Sequence, residues 1–566
     1  LLGHPDAQDF GRKFKIAFSG CSRHGCGLIN MHDLGFVARV RMEDGRKRRG
    51  FETYVGGGLG TIPYQAQLFD EFVPEEEILP TAQAIARVFA RLGEKRNRAR
   101  ARIKFLIAKL GIEEFRRLVL TEKDSLPDDP RWTDIADNAR AHCYRPAEEP
   151  GGDEQPADDP DFPSWAATNV YRQRQNGHVA VTVTLPMGDL TSVQLRSLAD
   201  LARRFCGDNL RTTVEQNILL RWVSRTSLNA LYDGLKTAGL AQAGAGSITD
   251  ITVCPGTDTC RLGIASSRGL TRELTRGLDQ RSAETEDAVR ALKIKVSGCF
   301  NSCGQHHIAD LGFYGVSRKV SGTTVPHFQV VLGGRWTDNA GSYGLAVGAV
   351  PSKRIPDLVA RLTSDFNAER NADESFQDYI DRLGKSRIKE LLAEFSPVPP
   401  YEEDPSYYSD WGDPREFSIA DLGTGECAGE VVEQIEFDLA AAEREVFEAQ
   451  ILLDEGDFRQ ADELAFRSML QAARGLVRTE NLDVGDDPDV VIDEFRRRFF
   501  DTRLFFDDYA GGKFAQYLFH RHEDSERDYS DELARRLIEE ARLFIEAAHA
   551  CHGRVLEHAA AETLAT

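Results

Sequence analysis

Four of the ten cysteines fall into two close pairs: Cys254-Pro-Gly-Thr-Asp-Thr-Cys260 and, thirty-eight residues later, Cys299-Phe-Asn-Ser-Cys303. A short loop brings two thiols to one point. A fold that joins two such loops offers four soft ligands to a metal. Thiolates in this number suit an iron–sulfur cluster or zinc. Structural zinc pairs usually leave about two to four residues between ligands, so the gap of five between Cys254 and Cys260 favours the cluster. Four buried, unligated cysteines are the plainer alternative.

The flanks carry more. Cys254 to Cys260 followed by Arg-Leu-Gly-Ile264, and Ser297-Gly-Cys-Phe-Asn-Ser-Cys303-Gly-Gln305, resemble the cluster signature of the sirohaem-containing sulfite and nitrite reductases. The resemblance covers about residues 10–395. It implies that Cys254, Cys260, Cys299 and Cys303 ligate a 4Fe–4S cluster, and that the sulfur of Cys303 is also the proximal ligand of the sirohaem iron. One thiolate shared by two cofactors lets electrons pass without a jump through protein, and thiolate ligation makes a haem electron-rich. Lys13 and Lys15, in Arg12-Lys-Phe-Lys15, match the family's distal-pocket lysines, whose implied catalytic work is to hold an oxyanion and supply protons. Without the resemblance they are two lysines at a strand start. Arg211, Gln216 and Asn217 match the motif that lines the sirohaem pocket, and otherwise read as a polar strand edge.

The implied reaction is the six-electron reduction of sulfite to sulfide, with nitrite to ammonia as the close alternative. The nitrite enzymes tend to carry asparagine where this chain has Lys15, so Lys15 favours sulfite, the larger dianion. The sequence shows no flavin or nicotinamide motif. Electrons must then come from a separate protein, and the resemblance implies ferredoxin. A reading of another class is a non-catalytic cofactor-binding or interaction protein whose helical tail is the working part.

Composition sets the frame. A chain of 566 residues, 41% hydrophobic, has room for two to four domains and a sizeable core. No run of eighteen apolar residues offers a membrane span, and Leu1-Leu-Gly-His-Pro-Asp6 lacks the shape of a signal peptide. Ten cysteines in a chain this long are no disulfide framework, which points to a reducing cytoplasm. The net charge of −21 is uneven: residues 398–566 carry 41 acidic and 17 basic side chains. The remainder is slightly positive, and the balance argues against nucleic acid as a partner.

An internal repeat organises the chain. Phe14-Lys-Ile-Ala-Phe-Ser-Gly-Cys21 matches Leu292-Lys-Ile-Lys-Val-Ser-Gly-Cys299. Asp33–Phe36 matches Asp310–Phe313, Phe51–Gly57 matches Phe328–Gly334, and Val73-Pro74 matches Val350-Pro351. Four matches in one order at nearly one offset mean two copies of one α/β unit about a pseudo-two-fold axis. The first copy retains only Cys21 and Cys26, which read as ordinary cysteines.

The expected fold class is therefore α+β: two pseudo-symmetric reductase units and a ferredoxin-like half-domain, then an all-α domain. In order, residues 1–135 form the first copy and 136–167 an acidic, proline-rich linker. Residues 168–245 form the half-domain, in the order βαββα. They hold a strand from His178 to Leu185, a helix capped by Thr191, and a helix from Leu228 to Leu240 capped by Ser227. Residues 246–397 carry the cluster and sirohaem, 398–430 are a linker, and 431–560 form about five helices loosely similar to the HEPN family. Some HEPN proteins are ribonucleases with an Arg-x4–6-His motif. Arg542 and His549 fit it, but so acidic a tail would repel RNA.

Two basic or glycine-rich stretches invite other readings. Arg91 to Lys104 reads equally as a solvated helix face or as partners for sirohaem carboxylates. Val55-Gly-Gly-Gly-Leu-Gly60 lacks dinucleotide-loop spacing and reads as a turn that lets backbone approach the sirohaem. By symmetry the first copy should also have a front half, roughly 110 residues before Leu1. In the family that half supplies arginines to the anion pocket. The sequence is thus expected to be a fragment that binds sirohaem weakly and turns over slowly.

Overall fold

A computed structural model describes residues 5–7, 9–21, 24–25, 27–127, 129, 132, 159–207, 209–281, 286–418, 434–481, 484–507, 510–524 and 528–565. The chain forms two compact units. One comprises Lys13–Thr81 and Arg102–Ala428, the other Leu1–Arg12, Ala82–Ala101 and Gly429–Thr566.

The first unit opens on β1 (Ile16–Ser19), β2 (Leu34–Glu43), β3 (Arg46–Val55) and β4 (Gln67–Pro74), in the order β1-β2-β3-β4. The helix α1 (Ile78–Leu92) begins here; α2 (Ile103–Leu110) and α3 (Ile112–Asp124) follow. The half-domain is built from α4 (Phe162–Asn169), β5 (Val170–Arg172), β6 (His178–Val183), α5 (Ser192–Cys206), β7 (Leu210–Thr212), β8 (Ile218–Ser224) and α6 (Leu228–Thr237). Its sheet runs β5-β6-β8-β7, so the expected βαββα is present with β5 added at one edge. The second copy holds β9 (Thr252–Val253), α7 (Ser267–Asp279), β10 (Ile294–Ser297), β11 (Leu311–Val320), β12 (Thr323–Leu332), β13 (Leu345–Pro351), α8 (Ile355–Glu369) and α9 (Phe376–Ala393). Its sheet runs β13-β12-β11-β10-β9.

The repeat is a repeat of structure. β1 lies parallel to β2 with Ile16 opposite Leu34, and β10 lies parallel to β11 with Ile294 opposite Leu311. The Asp33 carboxylate accepts the Lys15 N–H at 3.0 Å, and the Asp310 carboxylate accepts the Lys293 N–H at 2.7 Å. A glycine at positive φ breaks the helical path in both copies, Gly111 between α2 and α3 and Gly384 within α9. The copies pack on each other through buried Leu28, Met31, Ile308 and Ala340. The Tyr343 hydroxyl shares its proton between the carbonyls of Asn30 and Tyr64, 3.1 and 2.9 Å away, and His307 meets the Gly60 carbonyl at 3.0 Å.

Several boundaries differ from the expectation, each for a local reason. Phe162–Asn169 is helix, not linker, because Trp165 is buried against Tyr232 in the half-domain core. Asp159 and Asp161 there pair with Lys236. The N-terminal part of the expected linker lies outside the described residues. Thr191 caps α5 in a full capping box with Gln194, as its sequence suggests. Ser227 makes no cap hydrogen bond, because a 3-10 turn, Arg225–Ser227, feeds directly into α6.

The basic run is not one helix: α1 ends at Leu92, Arg98–Arg100 is a 3-10 turn, and α2 starts at Ile103. Arg102 pairs with buried Asp33 at 2.7 Å. The buried Lys104 ammonium donates to the carbonyls of Leu59 and Ile62 at 2.8 and 2.6 Å. Those two cations are engaged by protein. So is the glycine turn after β3, where Gly57 lies against the backbone of Asn30 and His32.

The segment 398–418 is not a free linker either. A 3-10 turn, Pro405–Tyr408, buries Tyr408, and the Trp411 indole donates to the Ser352 carbonyl at 3.0 Å with the Lys353 ammonium 4.1 Å from its ring.

The second unit contains five α-helices after Gly429 among the described residues: α10 (Gln434–Asp454), α11 (Phe458–Arg478), α12 (Pro488–Phe495), α13 (Lys513–Glu523) and α14 (Asp531–Ala565). They bury Leu439, Met469, Leu476, Phe495 and Phe544 in one apolar core. Arg542 pairs with Glu539 and donates to Gln450, and His549 meets Glu443 at 2.9 Å. Among the described residues no helix is long and apolar enough to cross a membrane.

Candidate functional site

β9 and β10 lie side by side and deliver the two cysteine pairs from their ends: Cys254 follows Val253, and Cys299 follows Ser297-Gly298. The pairing is held across the gap. Cys254 N–H donates to the Val296 carbonyl at 3.1 Å, and Ile264 and Ala265 N–H donate to the Gly298 carbonyl at 2.8 and 3.1 Å. Gly298 N–H in turn points at the Cys254 sulfur, 3.1 Å away, the hydrogen bond that stabilises a thiolate in a metal site. Cys254 and Cys299 are buried, Cys260 is half-buried and Cys303 is exposed.

Cys299 lies within electrostatic reach of the other three thiols. Burial pushes the Cys299 thiol up to about 11, the Asn301 N–H counters this, and the thiols of Cys303, Cys254 and Cys260 raise it further. Among the described residues no three His, Cys, Asp or Glu side chains gather closely enough for a single ion. A cube-shaped cluster spaces its four thiolates more widely than one tetrahedral ion does. Around Cys303 the loop is set by Ser302 and Gln305 at positive φ. The buried Ser302 hydroxyl and the buried His306 Nε2 make no hydrogen bond within the protein, as groups beside a bound cofactor can. His306 Nδ1 meets the Ser297 hydroxyl at 2.9 Å, and burial lowers its basicity well below that of a free imidazole.

The other expected site residues are placed less uniformly. Lys13 and Lys15 are both exposed in the extended stretch leading into β1, whose far end reaches Ser19-Gly20-Cys21. Arg211 is exposed in the middle of β7. Gln216 does not face open space: its side-chain amide pairs with the Val253 backbone in both directions, at 2.9 Å each, one residue before Cys254. Asn217 is buried and donates to the Asp250 carboxylate while accepting the Leu185 N–H at 2.8 Å. Both amides therefore brace the half-domain against the cysteine-bearing strand. Cys21 stands 3.2 Å from His24 Nδ1, and its carbonyl accepts the Asn339 amide at 2.9 Å. Cys26 lies outside the described residues.

Sequence reasoning missed the buried charge beside this brace. Lys293, Lys295 and Asp250 lie behind the cysteine strands with Glu215. The Lys295 ammonium donates to Thr252 and Gln305 at 3.0 and 3.1 Å, and burial lowers it to about 8. The Lys15–Lys293 match was a signal for one of them. Nothing in the sequence marks Asp250, which meets Asn217 only through the fold.

A model of the nitrite and sulphite reductase 4Fe-4S domain matches residues 1–126 and 244–398, and one of the nitrite/sulfite reductase ferredoxin-like half domain matches residues 171–238. The chain belongs to the nitrite and sulphite reductase family. With the 4Fe-4S domain of that family, it carries the polypeptide frame for an iron–sulfur cluster. This reductase-family chain is 31% identical over 393 residues to a "Sulfite reductase [ferredoxin]" of Mycobacterium tuberculosis, covering 69% of the chain and 65% of the relative. It is 29% identical over 384 residues to an "Assimilatory ferredoxin-dependent nitrite reductase" of Haloferax mediterranei, covering 67% and 62%. The solved Mycobacterium tuberculosis NirA protein superposes with a TM-score of 0.55 at 30% identity, over 68% of this chain and 65% of that one. The chain thus spans less than two thirds of the length of these relatives. The family match ends at residue 398, before Trp411 and the helical bundle.

Proposed function

We propose that this chain reduces sulfite to sulfide by six electrons, at a sirohaem coupled to a 4Fe–4S cluster, with ferredoxin as donor and the cytoplasm as compartment. The observation that carries the reading is that the paired strands β9 and β10 deliver Cys254 and Cys299 from neighbouring ends, with the Gly298 N–H on the Cys254 sulfur, in a chain whose curated relatives include sulfite and nitrite reductases. Cys254, Cys260, Cys299 and Cys303 would hold the cluster, and Cys303, the exposed one, would also face the sirohaem. The buried, unpartnered Ser302 hydroxyl and His306 Nε2 fit groups that complete their hydrogen bonds on a bound cofactor. The cofactor pair, when bound, supplies the electrons and the ligand position for the oxyanion.

The rest of the chemistry belongs to side chains. Lys13 and Lys15 would set positive charge opposite the oxyanion and hand protons to oxygens that leave as water. Arg211 would face the cofactor carboxylates. Gln216 and Asn217, through Val253 and Asp250, would keep the cluster loop in register with the half-domain.

Nitrite reduction is the second reading, favoured by the Haloferax relative; Lys15 favours sulfite. The test is a visible spectrum with iron and sulfide analysis, then steady-state kinetics with both anions. A Soret band with a further band in the orange is expected, together with a higher kcat/KM for sulfite. A colourless protein would overturn the enzymatic reading, and a much higher kcat/KM for nitrite would overturn the choice of substrate.

A further inference from the structure

Beyond the residues matched to the family, the chain turns back onto the cysteine loop. Asp410 is buried, and its carboxylate accepts the Ser266 N–H at 2.6 Å, the Trp411 N–H at 2.8 Å and the Ser352 hydroxyl at 3.3 Å. Ser266 is the residue that caps α7, its hydroxyl accepting the Gly269 N–H at 3.2 Å. It directly follows Ile264 and Ala265, whose N–H groups hold the Gly298 carbonyl. Gly298 is the residue whose own N–H meets the Cys254 sulfur. A line of hydrogen bonds therefore runs from the Asp410 carboxylate, through 264–266 and Gly298, to the first thiol of the site.

We propose that Asp410 is a positioning residue for the Cys254–Cys260 loop, and that residues 404–418 are a strap that holds this loop where its thiols meet those of Cys299 and Cys303. The identity of the thiols as cluster ligands rests on the function proposed above; the positioning is a property of the polypeptide.

Three physical features support the strap. A carboxylate at the start of α7 is favoured by the helix dipole and makes charge-assisted bonds to amides that the helix leaves unpaired. The strap has its own anchor away from the loop, in the Trp411 indole on Ser352, Lys353 over its ring, and Phe417 N–H on the Tyr408 carbonyl at 2.8 Å. It also forms one wall of a cleft of about 740 Å3 whose other wall is the loop itself, with Cys260, Arg261 and Arg272 facing Trp411, Arg415 and Phe417. Cys260, the half-buried ligand, thus lies in a cleft bounded by sequence that the family match does not reach.

The experiment is hydrogen exchange on the intact 566-residue chain without cofactors, read by peptide. Asp410→Asn puts an amide donor where a carboxylate oxygen accepted. It should accelerate exchange in residues 254–266 and at Gly298 by about tenfold, the factor one charge-assisted bond supplies, while β11 to β13 keep their wild-type rates. Trp411→Phe keeps the ring but loses the anchor to Ser352, and should accelerate the same amides by a smaller factor. Glu402→Gln, exposed and away from the cleft, should change nothing. In the reconstituted protein, Asp410→Asn should also shift the EPR g-values of the reduced cluster and speed iron loss to a chelator. Wild-type exchange in 254–266 in both strap variants overturns the proposal, as does acceleration spread evenly over β10 to β13. The expected exchange pattern in a chain that takes up no cluster would uphold the strap and overturn the cluster reading instead.

Discussion

Cys303 is the exposed member of four cysteines that otherwise lie buried or half-buried. A ligand buried in protein serves the cluster alone, whereas an exposed sulfur can also meet a second group. Replacing Cys303 by Ser puts a neutral hydroxyl where a bridging thiolate is proposed. The expected outcome is joint loss of cluster iron and of the coupled visible spectrum. A variant that keeps the full spectrum would remove Cys303 from its proposed role.

Lys295 belongs to the same scale and to a different force. Its ammonium is buried, with Thr252 and Gln305 as partners, and burial lowers it from 10.5 to about 8. The unfolded chain keeps the proton up to its ordinary value, and the folded chain gives it up earlier. The charge therefore costs stability in full below pH 8, and the cost fades as pH rises from 8 towards 10.5. Lys295→Met should flatten the rise of stability over that window and stabilise the cofactor-free protein near neutral pH by up to about 3 kcal/mol. Urea unfolding at several pH values reads both, and an unchanged slope would mean that another group titrates there.

At the scale of elements, the two copies offer a controlled comparison. β2 and β11 each start Leu-Gly-Phe, and the glycine lies against the turn that precedes the strand. At Gly35 an added Cβ would meet Cγ2 of buried Ile29 at 2.4 Å, a side-chain atom that can shift only at the cost of repacking. At Gly312 it would stand 2.0 Å from the His306 carbonyl, a backbone atom that cannot turn aside. Gly35→Ala should cost about 2 kcal/mol and Gly312→Ala about 3 or more, because only the second clash is with backbone. Denaturation midpoints give the comparison, and equal costs would contradict the asymmetry. Gly312→Ala should also reduce iron uptake, because the displaced turn begins at Gln305, two residues after Cys303.

At the scale of the molecule, charge separates the reductase part from the tail. Residues 398–566 hold 41 acidic and 17 basic side chains, against a nearly neutral remainder. An acidic donor would be repelled by that tail over roughly a Debye length, about 8 Å at physiological salt. Removing residues 431–566, which leaves the strap in place, should raise ferredoxin-driven kcat/KM at low ionic strength, and the gain should vanish in about 0.5 M salt. Slower turnover in the shortened chain would show that the bundle aids docking or folding.

Much of this protein was written in local sequence. The cysteine spacing, the repeated Lys-Ile-x-x-Ser-Gly-Cys strands and the Thr191 cap each depend on neighbours a few residues apart, so residue order alone determines them. The helical character of the tail was legible for the same reason, through its apolar period. What the tertiary structure decided are the partners that distance in sequence hides. Gln216 turns inward to the Val253 backbone and Asn217 to Asp250, thirty-three or more residues away. Lys104 directs its charge to the carbonyls of Leu59 and Ile62, 45 and 42 residues before it. The acidic, tyrosine-rich stretch after Pro397 has the composition of a solvated linker, yet Asp410 finds the Ser266 N–H 144 residues before it. Composition predicts solvation only for groups that have no partner in the fold, and such partners exist only once the copies have packed.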